Sequence, residues 1–508
     1  MKQNITHYIR AGYPGLYLVS HEEQRVEAEL KAVVEGLNQQ TPNPDELPYQ
    51  LHAWSITTGL INVQNGSRRD CNEPMEALIA LGDLPDNSII LLRDFHQFFD
   101  DPNPVLIRKL KDELAVAKTK GKTLIILGCR FILPPELERE FTVIEFALPD
   151  HEQLNVVLNG ICESAKLVSP KGDARTALID AARGMTTVEA ENAFALSIVE
   201  TGKLESSTIS REKAQAVKKN GLLEIMDTQE SLETIGGLDV LKDWLLKRRH
   251  AFSQRAVEYG LPTPKGLLIT GIPGTGKSLT AKATSTVFDL PLLRLDAGRL
   301  FAGLVGQSEE NIRAVIQTAE AISPVVLWID ELEKGFAGSR SSGSTDGGTS
   351  SRVFGTFIQW MQEKKAAVFV VATANDVSQL PPEMLRKGRW DETFFVDLPN
   401  REEREIIWRI QIAKYGRDAK DFDTRQIAKT TDGLTGAEIE QVFVDALYRA
   451  FDQEEEPTDL TIGEVLVDFV PLSKLMSEQI TALRLWAKGR ARIATTVQPS
   501  SSGRKIAA

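Results

Sequence analysis

Eight consecutive residues, Gly271-Ile272-Pro273-Gly274-Thr275-Gly276-Lys277-Ser278, stand between an apolar run, Leu267-Leu268-Ile269, and a series of good helix formers that begins with Leu279. This is the pattern of a P-loop. The glycines let the backbone fold back, so that successive N–H groups and the N-terminus of the next helix face a di- or triphosphate. Lys277 supplies a mobile positive charge for the β- and γ-phosphates, and the Ser278 hydroxyl can ligate Mg²⁺. Residues Pro273 to Leu279 are therefore expected to wrap the phosphates of a nucleotide such as ATP.

Two acids follow at the end of a second apolar run, Pro324-Val-Val-Leu-Trp-Ile-Asp330-Glu331. A carboxylate at the C-terminal edge of a buried strand, Asp330, can hold Mg²⁺ through water, and Glu331 beside it can orient or deprotonate an attacking water. A third run, Val368-Phe-Val-Val-Ala-Thr-Ala-Asn375, ends in a carboxamide able to position the same water. Alone, Asn375 would read as a turn residue.

Such groups need strand ends to hold them, and the chain offers strands alternating with helical patterns throughout. In the first half, Leu16–Val19, Ser88–Asp94 and Lys122–Gly128 are apolar strands with helices between them. The alternation predicts α/β architecture with a parallel, doubly wound sheet. A length of 508 residues exceeds what one core supports, so more than one domain is expected. Hydrophobic content of 42% with 26% charged residues fits a globular protein, and a net charge of −12 disfavours bulk attraction to nucleic acid or anionic lipid. Cys71, Cys129 and Cys162 are too few and too irregularly spaced for a disulfide framework or a zinc site, and read as small core residues in a reducing compartment. The opening MKQNITHYIR has no apolar h-region, and no stretch approaches the ~18 apolar residues of a membrane span, so a cytoplasmic protein is expected.

The two halves show a faint duplication. Leu92-Arg93-Asp94 parallels Trp328-Ile329-Asp330, Leu133-Pro-Pro-Glu-Leu137 parallels Leu380-Pro-Pro-Glu-Met384, and Gly184-Met-Thr-Thr-Val-Glu-Ala-Glu191 parallels Gly433-Leu-Thr-Gly-Ala-Glu-Ile-Glu440. The first copy has His21-Glu22-Glu23-Gln24-Arg25 where a phosphate loop would stand, and no arginine pair matching Arg386 and Arg389. It reads as a nucleotide-binding fold that has lost its nucleotide.

These motifs resemble the AAA family of ATPases over residues 231 to about 450. Ile235-Gly236-Gly-Leu238 looks like the family's entry segment beside the adenine, Gly271–Ser278 its Walker A, Leu327–Glu331 its Walker B and Asn375 its sensor 1. Leu385-Arg386-Lys-Gly-Arg389-Trp-Asp391 is similar to the second region of homology. The resemblance implies that Arg386 and Arg389 reach the nucleotide of a neighbouring subunit in a homo-oligomer, a hexamer in the family. It also implies that Gly436-Ala437 opens the lid helix against the nucleotide. Leu300–Glu309 resembles the substrate-gripping pore loop, with aliphatic Leu304 and Val305 where many unfoldases place an aromatic. The Gly/Ser-rich stretch Gly338–Ser351 corresponds to the second loop and is expected to be mobile.

The whole layout resembles, more narrowly, the AAA proteins of a hypothetical chloroplast reading frame in algal plastids and cyanobacteria and their bacterial relatives, a group linked in photosynthetic members to inorganic-carbon use. The expected layout is a degenerate AAA-like module without a P-loop at 1–200, a connector at 201–230, the AAA large subdomain at 231–400 and its helical lid at 401–455. A C-terminal helical extension at 456–494 and a disordered tail at 495–508 complete it. Leu472, Met476, Ile480, Leu483 and Trp486 recur at the spacing of one amphipathic helix. The implied function is Mg-ATP hydrolysis that remodels a protein partner. An ATP-dependent assembly scaffold is the alternative, kept open by the Leu304-Val305 pair, while a nucleic-acid motor is disfavoured by the charge.

Overall fold

The computed structural model describes residues 2–496 apart from 40–46, 102, 220, 227, 229, 302–306, 337–346 and 387. Leu304, Val305 and most of the Gly/Ser-rich stretch thus lie outside the described residues. The chain forms two compact units that part between Ile209 and Ser210, inside the segment expected to be a connector.

The first unit is built on a seven-stranded sheet of β1 (Gly15–Val19), β2 (Gln50–Ser55), β3 (Gly59–Asn62), β4 (Arg68–Arg69), β5 (Ser88–Arg93), β6 (Thr123–Gly128) and β7 (Thr142–Glu145), in the order β4-β3-β2-β5-β6-β1-β7. The last five in that order are parallel, and β3 and β4 add an antiparallel edge. The second unit's sheet contains β8 (Leu223–Met226), β9 (Gly266–Gly271), β10 (Leu292–Leu295), β11 (Val325–Ile329), β12 (Val368–Ala374), β13 (Glu392–Val396) and β14 (Arg492–Ile493), in the order β14-β13-β9-β12-β11-β10-β8. Read from β7 to β2 and from β13 to β10, the five parallel strands follow one and the same order.

The strands are continuous apolar runs because both faces of each sheet are covered by helices. Leu268, Val370 and Ala372 point into one core of the second unit, whereas Leu267, Ile269, Phe369 and Val371 point into the other. Each sheet is followed by a helical bundle. In the second unit, helices Arg401–Lys414, Thr424–Thr430, Gly436–Asp452 and Asp459–Asp468 close around Trp408 and Phe443; in the first, helices His151–Ser164, Gly172–Ala182 and Thr187–Thr201 close around Phe194.

Several elements differ from the sequence expectation. Residues 223–226 of the connector are a strand, antiparallel to β10 at the edge of the second sheet. Residues 347–351 of the supposedly mobile loop open the helix Gly347–Glu363. The C-terminal amphipathic stretch is two helices, Leu472–Leu475 and Ser477–Ala487, broken at Met476. Thr495 and Thr496, expected in a disordered tail, are fixed: Thr495 Oγ1 donates to Glu403 Oε1 at 2.6 Å and the Thr496 N–H to Asp239 Oδ1 at 2.9 Å. Preceding them, β14 pairs with β13, and the Ala494 carbonyl accepts from the Val240 and Leu241 N–H groups. The C-terminal strand therefore buttresses the segment that carries Ile235 and Gly236.

Candidate nucleotide site

β9 delivers the loop to the sheet's C-terminal edge, where open α/β sheets bind ligands. Gly271 is fixed as glycine by packing, since a Cβ there would stand 2.0 Å from the Val396 carbonyl oxygen of β13. Gly274 takes φ +76°, a conformation side chains disfavour, and its carbonyl accepts from the Ala437 N–H at 3.0 Å. That bond ties the loop to the start of helix Gly436–Asp452, which Thr435 and Glu438 close with a reciprocal capping box.

Around this loop lies a cleft of about 490 Å³, the size of an ordinary small-molecule site. Ile235, Gly236, Pro273, Gly274, Thr275, Gly276, Lys277, Ser278, Leu279, Asp330, Glu331, Asn375, Gly436 and Ala437 all line it. Arg386 and Arg389 do not: Arg386 is exposed, 3.9 Å from Glu383, and Arg389 is half-buried outside the cleft. Thr234, Thr373, Ile407, Ile410, Gln411 and Glu440 complete the wall. Ile235, Leu279, Ile407, Ile410 and Ala437 make one part of it apolar, suited to an uncharged aromatic base, while the loop end is suited to anions.

Lys277 is buried and donates to the Gly271 and Ile272 carbonyls at 2.9 and 2.7 Å. Burial pushes its pKa down to about 8, against the attraction of Glu333, Asp330 and Glu331. A bound polyphosphate favours the charged ammonium, so binding draws a proton whenever the lysine of the free protein is neutral. Nucleotide affinity is therefore expected to fall as pH rises through about 8, with proton uptake on binding at pH 8.5–9.5. Calorimetry in two buffers of different ionisation enthalpy measures it; the same apparent enthalpy in both buffers at pH 9 would contradict it.

Asp330 accepts from Ser278 Oγ at 3.2 Å and from Thr373 Oγ1 at 2.6 Å. The adjacent hydroxyl and carboxylate are hard oxygen donors that fit Mg²⁺, a cation that binds through one or two protein oxygens plus phosphates and water. Among the described residues no group of three or more His, Cys, Asp or Glu side chains could hold a metal. Glu331 sits at a left-handed φ of 49°, an unfavourable backbone held by its own N–H donating to Thr373 Oγ1 at 3.1 Å. Its Oε1 accepts from Asn375 Nδ2 at 3.2 Å, and its other oxygen pairs with Lys334.

Two residues that organise this edge escaped the sequence reading. Thr373 touches both Asp330 and Glu331, and its position two residues before Asn375 on one strand, hence on one face, was the available signal. Glu333 is buried, accepts the Asn375 N–H at 2.8 Å, and is pushed up from the usual carboxylate range by burial.

The corresponding edge of the first unit is built differently. Val19 pairs with Gly128 as Thr270 pairs with Ala374, and Leu92 with Ile126 as Ile329 with Ala372. Arg93 therefore holds the place of Asp330, and Asp94 that of Glu331, one residue off the alignment expected from sequence. Asp94 and Glu331 share the left-handed backbone and each precedes a 3₁₀ turn. From Ser20, the counterpart of Gly271, two residues reach the helix Glu23–Gln39, where five reach Lys277. Arg93 pairs with Glu27 of that helix, and buried Glu22 accepts the Thr187 N–H at 2.5 Å while pairing with Arg25 at 2.7 Å. Glu22 and Glu27 thus put carboxylates beside this edge, and an acidic group there opposes a polyanion. One nucleotide per chain is the expected stoichiometry in a calorimetric titration; two equivalents would contradict it.

The chain is similar to several known proteins. Residues 267–398 match the family described as ATPase family associated with various cellular activities (AAA), residues 1–146 the SpoVK-like AAA ATPase N-terminal domain, and residues 152–220 the SpoVK-like AAA ATPase second domain. The ycf46 AAA domain-containing protein of Trieres chinensis is 39% identical over 496 residues, covering 96% of this chain and 97% of that protein. The ycf46 protein of Pyropia yezoensis is likewise 39% identical, over 97% of this chain and 99% of its own. An ATP-dependent zinc metalloprotease FtsH of Mycoplasma mobile is 31% identical over 258 residues, 49% of this chain and 36% of that one. With the loop, its acids and these full-length similarities together, the chain belongs to the AAA family, as a relative of the ycf46 proteins, and is a nucleotide-binding ATPase.

Proposed function

We propose that the chain couples ATP hydrolysis to remodelling of a protein partner, as a ring in which each nucleotide is completed by the neighbouring subunit. The observation that carries this reading is the division of the site residues: Lys277, Ser278, Asp330, Glu331 and Asn375 share one cleft, while Arg386 and Arg389 stand outside it. Lys277 binds the β- and γ-phosphates, Glu331 takes the proton of the attacking water, and Asn375 orients both. Ser278 and Asp330 would hold Mg²⁺, which would supply neutralisation of phosphate charge. Arg386 and Arg389 serve the next subunit's transition state.

A ring of this kind makes assembly a condition for activity. Turnover per chain is expected to rise with protein concentration as oligomers fill, measured by phosphate release alongside light scattering. A dilute monomer hydrolysing ATP at the full rate would contradict the proposal. For the partner, a Glu331→Gln chain loaded with ATP should retain a protein that it releases when ATP is removed; retention independent of nucleotide would contradict the proposal.

A further inference from the structure

The first unit carries a second constellation at the same sheet edge. Cys129 directly follows β6 and, in the register given above, takes the place of Asn375; Asp94 takes that of Glu331. Between them lies His96, 1% exposed, with Nε2 3.8 Å from Cys129 Sγ and Nδ1 3.9 Å from Asp94 Oδ1. Nδ1 is buried and has no hydrogen-bond partner. The ring lies over Gly128, where a Cβ would come within 2.5 Å of Nδ1, so the strand end is shaped to admit the imidazole. Tyr17, buried in β1, fixes the following loop: its hydroxyl donates to the Arg130 carbonyl at 2.7 Å and accepts the Ile132 N–H at 3.3 Å.

Of the three cysteines, Cys129 is the exposed one, whereas Cys71 and Cys162 are buried. An accessible thiol held against a buried imidazole that is itself turned toward a carboxylate is the arrangement of an activated nucleophile. We propose that Cys129 is a thiol-modification site of the first unit, with His96 as the base that activates it toward a low-molecular-weight disulfide. In the tautomer that carries its proton on Nδ1, Nε2 takes the thiol proton and the thiolate attacks one sulfur of the disulfide. The disulfide's S–S bond breaks as the new bond to Cys129 forms, and the leaving thiolate takes the proton from the imidazolium. Cys129 is oxidised and the small disulfide is reduced to one thiol and one bound half.

The charged groups facing His96 are Asp94, Arg130 and Asp100. Burial lowers the imidazole pKa, so it is neutral and able to accept a proton at pH 7. The test uses the full chain and glutathione disulfide, followed by intact mass and peptide mapping. One adduct per chain on Cys129 is expected, none after Cys129→Ser, and a rate constant at pH 7 at least ~10-fold lower in His96→Gln. Equal adducts on Cys71 or Cys162, or an unchanged rate in a folded His96→Gln chain, would overturn the proposal. Should that variant lose its fold, the native chain decides. A base-assisted thiol keeps its rate from pH 8 to 7, whereas an unassisted one loses about tenfold over that unit, and the latter result would overturn the proposal.

Discussion

Arg386→Ala should bind ATP with affinity close to that of the native chain and turn it over about 10³-fold more slowly, since an arginine supplied in trans acts on transition-state charge rather than on ground-state binding. The side chain is exposed, 3.9 Å from Glu383, and can reach another subunit without unfolding its own. Arg389→Ala is expected to lose activity in the same direction. Equilibrium binding and single-turnover rates on one preparation separate the two effects; a parallel loss of affinity and rate would place the arginines in ground-state binding.

Glu331→Gln should keep nucleotide affinity and lose at least ~100-fold in turnover. The carboxamide can preserve the contact with Asn375 Nδ2 at 3.2 Å through its oxygen, while the pair with Lys334 is lost and no base remains. Lys334 is exposed, so that ion pair adds little to stability and the variant should fold normally. Rapid-quench measurement of ATP cleavage checks it; a rate within tenfold of native would assign the base elsewhere.

The phosphate loop was legible because its chemistry is local: glycines, lysine and serine at fixed offsets between a strand and a helix define it before any tertiary contact. The buried strands were legible for a related reason, since parallel strands covered on both faces read as unbroken apolar runs. What escaped depends on partners distant in sequence. β14 is two exposed residues whose strand character comes from pairing with β13. Glu333 acquires its role by accepting the Asn375 N–H across 42 positions. The misplacement of Asp94 by one residue shows that short apolar strings align equally well in either phase, whereas ladder register and the shared left-handed turn do not. Likewise, the absence of loop glycines from the first unit was legible, yet the pairing of Glu27 with Arg93 at that edge required the structure.

Mixing Arg386→Ala chains with Lys277→Ala chains tests the central claim most directly. The first keeps an intact nucleotide cleft and lacks the outward arginine; the second keeps the arginine and cannot hold ATP properly. Each alone should be nearly inactive, and the mixture should recover a substantial part of native turnover, because some boundaries then pair a sound cleft with a sound arginine. A mixture as inactive as its components, in oligomers shown to contain both chains, would mean that Arg386 does not serve a neighbour's nucleotide.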